Sequence, residues 1–489
     1  MKNRTSIDRA VLRLASLGAL GALLSCAGDA QSHQDDDGRS GPTEGLDTRS
    51  GALSAGARAP GRRWFERAFP HTNGRSCATC HVLDEATTLR PASVEARLRA
   101  NPRDPLFNRI DADDPAAAVP TFEALKKGLV RVILPLPPNM DVLDFEGRVV
   151  TPADRRIFVW RGVPTVADTA ATGPYQFDGR AATLQDQAQA AILSHSEGRA
   201  VSRDDLDRIA AFEKATFTST RARLVAELLA RGVPEPRIPI PEEFMELSEQ
   251  ETRGRVVYDA ACQPCHGGPT TDRIVNREVH DFFFPALKAD GNVLFQIVPG
   301  AGPVPVRIAR PNVEILNTGY GLATYFPQIG LGTAFNASVR FPRYRFRFYK
   351  DGTRRQAVMD LPPVPVTVSG DPHDPRPALD AAGAPIVGPN LAPQQFTTDP
   401  GRAAITGDPN DFEAFDVPQL RGIAETAPYF HDNSHETLAE VVDTYSRRVL
   451  PFITPLKLLA VNPPEKPGAS RESLSVAQKQ DLVAFLRRL

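Results

Sequence analysis

Cys77-Ala-Thr-Cys80-His81 and Cys262-Gln-Pro-Cys265-His266 are two copies of one pattern, C-x-x-C-H, and their reading decides the fold. This is the spacing by which a c-type haem is attached. The two thiols add to the porphyrin vinyl groups, and the adjacent histidine sits beneath the iron as its proximal ligand. A four-cysteine zinc site built from both pairs, or two redox dithiols, are the rival readings. Neither needs a histidine directly after each pair. The pattern therefore implies two covalently bound haems c, with Cys77, Cys80, Cys262 and Cys265 as attachment points and His81 and His266 as iron ligands.

The rest of the composition is compatible with this reading. The chain has 489 residues, enough for two or three domains. Only five cysteines occur, so a disulfide scaffold is excluded. Lys+Arg 57 against Asp+Glu 59 leaves a formal charge of -2, which excludes nucleic-acid binding by bulk positive charge. The 45 prolines and 35 glycines, with 25 phenylalanines, describe a loop-rich protein with an apolar interior.

The beginning reads as an address. Lys2, Arg4, Arg9 and Arg13 precede an apolar run ending at Leu24 that is too short to span a bilayer. Leu23-Leu24-Ser25-Cys26 resembles a lipobox, which makes 1–25 a lipoprotein signal peptide and Cys26 the lipidated first residue of the mature chain. Removing four basic groups and Asp8 would take the formal charge to about -5. The expected location is the periplasm or, with Ala27 next, the outer membrane of a Gram-negative bacterium, held by the lipid anchor alone. Residues 26–60, rich in Asp, Gly, Ser and Ala without apolar periodicity, read as a flexible tether.

The folded part repeats. Val163-Pro-Thr-Val to Phe177-Asp178 matches Val417-Pro-Gln-Leu to His431-Asp432, and the register continues to Thr183-Leu184 and Thr437-Leu438. Leu206 to Phe212 matches Lys479 to Phe485 near each end. The proline-dense stretch Val233 to Pro241 reads as a linker, and Ser248 with Glu251 as a capping box opening the helix into Cys262. These readings give a mainly α protein of two cytochrome c-like helical domains in tandem, 61–236 and 237–489. The second carries a long irregular or β-containing insert at about 270–400, with strand-like alternation over Val339 to Tyr349 that suits a surface hairpin or a lid.

The two haem motifs, Phe177-Asp-Gly-Arg-Ala-Ala-Thr-Leu-Gln-Asp-Gln187 and Thr426-Ala-Pro-Tyr-Phe-His-Asp432 resemble the bacterial di-haem cytochrome c peroxidase and MauG superfamily, over about residues 62–489. The resemblance implies a high-spin N-terminal haem that meets peroxide and a low-spin C-terminal haem that handles electrons. It places Gln187 and Glu197 in the distal pocket of the first haem, Glu197 moving a proton between peroxide oxygens. By position alone Glu197 reads as a solvated acid at a helix end; beside a porphyrin its carboxyl would be desolvated and its pKa raised. His195 shares a helical face with Leu184, Ala188, Ala191 and Ile192, either as a hydrogen-bonded core residue or as a ligand closing the first iron. No histidine lies between His81 and His195, so the activating distal histidine of many relatives is absent.

The same register puts Tyr445 as sixth ligand of the second haem. Leu438, Val441, Val442 and Tyr445 form one face of a short helix, so the phenol should point inward. Phe177 replaces the family's inter-haem tryptophan, His431 matches a histidine near the second haem, and Gly162 stands where an asparagine often binds calcium. The implied activity is reduction of hydrogen peroxide with electrons from a small periplasmic donor protein. MauG-like or oxygenase-like oxidation of a larger organic or protein substrate is the alternative, and a non-catalytic electron-transfer lipoprotein the third reading.

Overall fold

The computed structural model describes residues 59–144, 146–273, 275, 294–298, 302–306, 318–319, 335, 338–361, 397–450 and 473–489. The expected signal peptide, Cys26, nearly all of the tether and most of the insert lie outside them. All the described residues fall in one compact unit.

The first half runs through α1 (Arg62–Glu66), α2 (Cys77–Cys80), α3 (Pro91–Ala100), β1 (Leu129–Pro135), β2 (Met140–Leu143), β3 (Arg156–Gly162), α4 (Leu184–Ser194), α5 (Arg203–Lys214) and α6 (Thr220–Ala230). Then follow α7 (Glu249–Ala261), β4 (Leu294–Val298), β5 (Gly302–Val306), β6 (Thr318–Gly319), β7 (Arg345–Tyr349), β8 (Ala357–Leu361), α8 (Ala403–Thr406), β9 (Phe415–Asp416), α9 (Leu438–Thr444) and α10 (Val476–Leu486).

The helices start where their sequences provide caps. Ser202, Ser248 and Ser475 each accept a hydrogen bond from a backbone N–H in the first turn of α5, α7 and α10, satisfying a donor that the helix cannot. At Ser248 the expected capping box with Glu251 is complete. One helix crossing then occurs twice. A Cβ on Gly61, before α1, would stand 1.8 Å from the carbonyl oxygen of Arg208 in α5. A Cβ on Gly254 in α7 would stand 1.9 Å from that of Asp481 in α10. Only glycine lets the backbones approach this closely. One turn on, Phe65 stacks on Phe212 at 4.6 Å and Tyr258 on Phe485 at 5.1 Å.

Strands are not confined to the insert, which corrects the mainly helical reading of the first half. β1 and β3 form an antiparallel ribbon from Leu129↔Gly162 to Pro135↔Arg156, and β2 pairs with β7, which pairs with β8. The alternating segment Val339 to Tyr349 is strand over β7, which forms an antiparallel hairpin with β8, and its inward side is core. Phe346 and Phe348 are fully buried with Leu134, Met140 and Phe412. The apolar alternation had found a partner in β2, far away in sequence, which no local pattern announces.

The proline-dense stretch is also fastened. It forms 3-10 turns at Glu235–Arg237 and Pro241–Phe244, and Glu242 receives two hydrogen bonds of 2.7 Å from the buried guanidinium of Arg421. A second buried cation, Arg161 on β3, bonds Asp178 at 2.6 Å and Asp399 at 2.7 and 2.9 Å. Such pairs fix relative position more than they add stability, since each charge has lost its water.

Candidate haem-binding sites

His81 Nδ1 lies 3.0 Å from the carbonyl oxygen of Thr87, and His266 Nδ1 lies 3.0 Å from that of Pro418. A carbonyl only accepts, so each Nδ1 carries the proton and each Nε2 keeps a lone pair. That is the orientation that a backbone carbonyl imposes on a metal-ligating histidine. Desolvation pushes both imidazoles down to about 4, so they are neutral at physiological pH.

The thiols discriminate between the rival readings. None is in a disulfide. Burial pushes Cys80 up to about 11 and Cys262 and Cys265 to about 12, and Cys77 upward as well. Redox dithiols work as thiolates, which these surroundings oppose. The pairs also belong to different clusters, Cys77 packing beside Phe65 and Phe212, and Cys262 and Cys265 beside Tyr258 and Phe485. They cannot share one tetrahedral ion. Neutral thiols followed by an oriented neutral histidine fit haem c.

The repeat seen in the sequence is repeated in space. Tyr175 donates its hydroxyl to the Thr169 carbonyl at 2.9 Å, and Tyr429 donates to that of Ile423 at 3.0 Å. Tyr175 bridges Ala181 and Tyr429 bridges His435. Gln176 and Phe430 share a left-handed backbone, at φ 69 and φ 67. Thr183 caps α4 and Thr437 caps α9. The register then places Ala191 opposite Tyr445 and Gln187 opposite Val441.

In the first copy, Leu184, Ala188 and Ile192 are buried. Gln187 lies on the adjoining strip of α4, one turn before Ala191, and its buried Oε1 has no hydrogen-bond partner. The chain leaves α4 at His195 and turns through Glu197, whose backbone is left-handed at φ 49. Asn73 Nδ2 donates to the Glu197 carboxylate and to the His195 carbonyl, both at 3.0 Å. Arg75, just before the haem motif, donates to the same carbonyl at 3.3 Å and pairs with buried Asp111 at 2.6 Å. Asn73 and Arg75 thus hold the Glu197 loop against the haem motif. Sequence reading missed both, because nothing local marks their partners. Glu197 itself is exposed, as its position at a helix end suggested. His195 has an unpartnered Nδ1, its imidazole is pushed down by burial, and it lies near enough to His81 to disfavour its charge.

The desolvated acid is Glu213 on α5, also missed. It is 2% exposed, its Oε2 has no partner, and burial alone pushes it up to about 8. Its charge would be felt by Cys77 and Tyr175. At this register α10 carries Leu486, so aligning Phe212 with Phe485 was the available signal.

In the second copy, Leu438 and Val442 are buried, and Val441 and Tyr445 pack on the same cluster as Cys262 and Cys265. The α9 backbone widens into a π turn over Tyr445–Val449, a local expansion common at functional positions. Burial first, then the two cysteines, push the phenol upward, and Phe430 stacks on it at 6.4 Å. His431 stacks on Phe415 at 3.9 Å, and its carbonyl accepts from Gly162 at 2.7 Å. Phe177 accepts at its carbonyl from Asp416, bringing the Phe177 and His431 segments to one strand. Around Gly162 the space belongs to Asn433, whose Oδ1 would stand 2.3 Å from an added Cβ. Among the described residues no group of three or more His, Cys, Asp or Glu side chains could hold a metal ion, so the calcium expectation gains no ligand set here.

Residues 61–222 match the family described as di-haem cytochrome c peroxidase. A cytochrome-c peroxidase of Denitromonas iodatirespirans, IdrP2, is 37% identical over 94 residues, 19% of this chain and 21% of that protein. Cytochrome c551 peroxidase of Nitrosomonas europaea is 47% identical over 47 residues, 10% of this chain and 14% of that one. The chain thus spans about a fifth or less of the length of these curated relatives. A solved MauG-like protein associated with microbial copper homeostasis is 16% identical with a TM-score of 0.37, covering 92% of this chain and 95% of its own. The diheme peroxidase BthA of Burkholderia thailandensis is 17% identical with a TM-score of 0.31, covering 87% of this chain and 84% of its own.

Proposed function

We propose, from residues 61–222 as a member of the di-haem cytochrome c peroxidase family, that the protein reduces hydrogen peroxide at a first haem with electrons passed through a second. Two cytochrome c-like domains would carry the haems on Cys77, Cys80 and His81 and on Cys262, Cys265 and His266. Haem c supplies the redox-active iron for a reaction that turns one peroxide, two electrons and two protons into two waters. The chain's own residues set which iron reacts.

The observation that supports this best is the pairing of Ala191 with Tyr445 at one register. A methyl group would leave space over the first motif, whereas a phenol that packs on the same cluster as Cys262 and Cys265 would fill the second. Gln187 offers an unpartnered oxygen to an entering peroxide. Glu197, held by Asn73, is the group that moves a proton between the peroxide oxygens. Its exposure lets it exchange that proton with solvent. Glu197→Gln keeps the shape and the Asn73 contact on one oxygen but removes the proton. We expect stopped-flow rates with peroxide to fall by about 10²–10⁴-fold, the usual contribution of a general acid–base group. An unchanged rate would remove Glu197 from the site.

A second reading, oxidation of a larger organic or protein substrate, draws support from Tyr445. A phenolate ligand would favour oxidised iron and make the second haem a poor acceptor from ordinary donors. A third, electron transfer alone, draws support from the unpartnered Nδ1 of His195. The protein would work in the periplasm, anchored through acylated Cys26, with a small donor protein as partner. Cys26→Ala should release it from membranes, and mass spectrometry of an unacylated native chain would refute the anchor.

A further inference from the structure

Between the β1–β3 ribbon and the edge formed by β2 and β7 lies a cavity of about 580 Å³ that the proposed peroxide chemistry does not use. Its size falls in the range of small-molecule sites. Ile133, Val142, Ile157 and Phe158 contribute apolar surface, and Ile133 remains 42% exposed although it is a large hydrophobic residue. The two walls are riveted together. Tyr344 donates its hydroxyl to the Phe158 carbonyl at 2.9 Å and accepts from the Phe158 N–H at 3.3 Å. The cavity is therefore formed before any ligand arrives.

Four arginines line it (131, 156, 343 and 345) with Asp144 and Asp154, and Asp144 is engaged by Arg148 at 2.7 Å while Arg343 and Arg345 have interactions of their own. Arg131 is the informative one. Its guanidinium lies over the Phe158 ring at 4.0 Å, and its buried Nε has no hydrogen-bond partner. Among the described residues no carboxylate forms an ion pair with it. A donor removed from water without an acceptor costs free energy. A positively charged donor at the edge of an apolar trough fits one class of ligand.

We propose that this cavity binds an amphipathic organic anion, its head group accepting from Arg131 and its apolar body lying along Ile133 and Phe158. The Phe158 ring holds the guanidinium plane in place, so little side-chain freedom is lost on binding. A cationic ligand is opposed by Arg131, and a small inorganic anion would leave the apolar surface uncovered.

Isothermal titration calorimetry of the haem-loaded protein with 4-phenylbutyrate and with 4-phenylbutan-1-ol tests this, since the two differ only at the head. The carboxylate should bind saturably with one site per chain, and the alcohol more weakly. Arg131→Met keeps the stem and the packing but removes the charge; it should weaken the carboxylate about 10- to 100-fold, as loss of a charge-assisted hydrogen bond does. The alcohol should be unaffected. Ile133→Glu, at an exposed position, should abolish carboxylate binding and decides the matter if Arg131→Met does not fold. The proposal is overturned if neither probe saturates, if both bind alike, or if both variants bind the carboxylate as the wild type does.

Discussion

At one position of its internal repeat the protein carries Ala191 in the first half and Tyr445 in the second, on helices capped by the same residue type. α4 continues as a regular helix to Ser194, while the second helix widens into a π turn at Tyr445. A second contrast lies on the closing helices, where Glu213 occupies the place of Leu486 beneath equivalent phenylalanines. The shared features are those that build the fold, namely the caps, the glycine crossing and the carbonyl behind each histidine. Of the differing ones, Glu213 and Tyr445 lie close to the cysteines of their motifs. The two copies of the repeat thus share a similar cradle, and a few side chains would divide the labour between them.

The contrast can be broken by substitution. Ala191→Leu should fill the space above the first motif and slow the reaction with peroxide by about 10²-fold, the cost expected for displacing a reacting group by about 1 Å. The spectrum of the second haem should not change. If the rate is unaffected, the opening lies elsewhere.

A smaller effect would sharpen the comparison of the closing helices. Glu213→Leu imports the residue of the second copy and removes a buried carboxyl with an unpartnered oxygen. Stability should rise by about 1–3 kcal/mol at alkaline pH, the usual cost of such a group. The sign follows from the folded value of about 8 against the ordinary 4.5. The folded state binds the extra proton, so this group's contribution is fully present below 4.5 and is lost as pH rises through 8. Thermal melting across that window should therefore decline in the wild type and flatten in the variant. Parallel curves would show that Glu213 finds a partner.

Much of this was legible because the signals are local. C-x-x-C-H, Ser248 with Glu251 and the Val163 and Val417 repeats each fit within a few turns of chain. Tyr445 could be placed inward from helical periodicity. The ion pairs of Arg75 with Asp111 and of Arg161 with Asp178 and Asp399 could not, since each joins residues that no pattern links. β1 was hidden for another reason. Leu129 to Pro135 is apolar almost throughout, and periodicity cannot separate such a run from a buried helix. The exposure of Glu197 was legible, because a carboxylate at a helix end reaches solvent unless another segment covers it.

The central claim, one open haem and one filled by Tyr445, is tested most directly by electron paramagnetic resonance of the fully oxidised protein and of Tyr445→Phe. The wild type should show one high-spin and one low-spin ferric signal. In the variant the low-spin signal should be lost while haem content stays the same. Two low-spin signals in the wild type, as His195 ligation would give, or a low-spin signal indifferent to Tyr445→Phe, would contradict it.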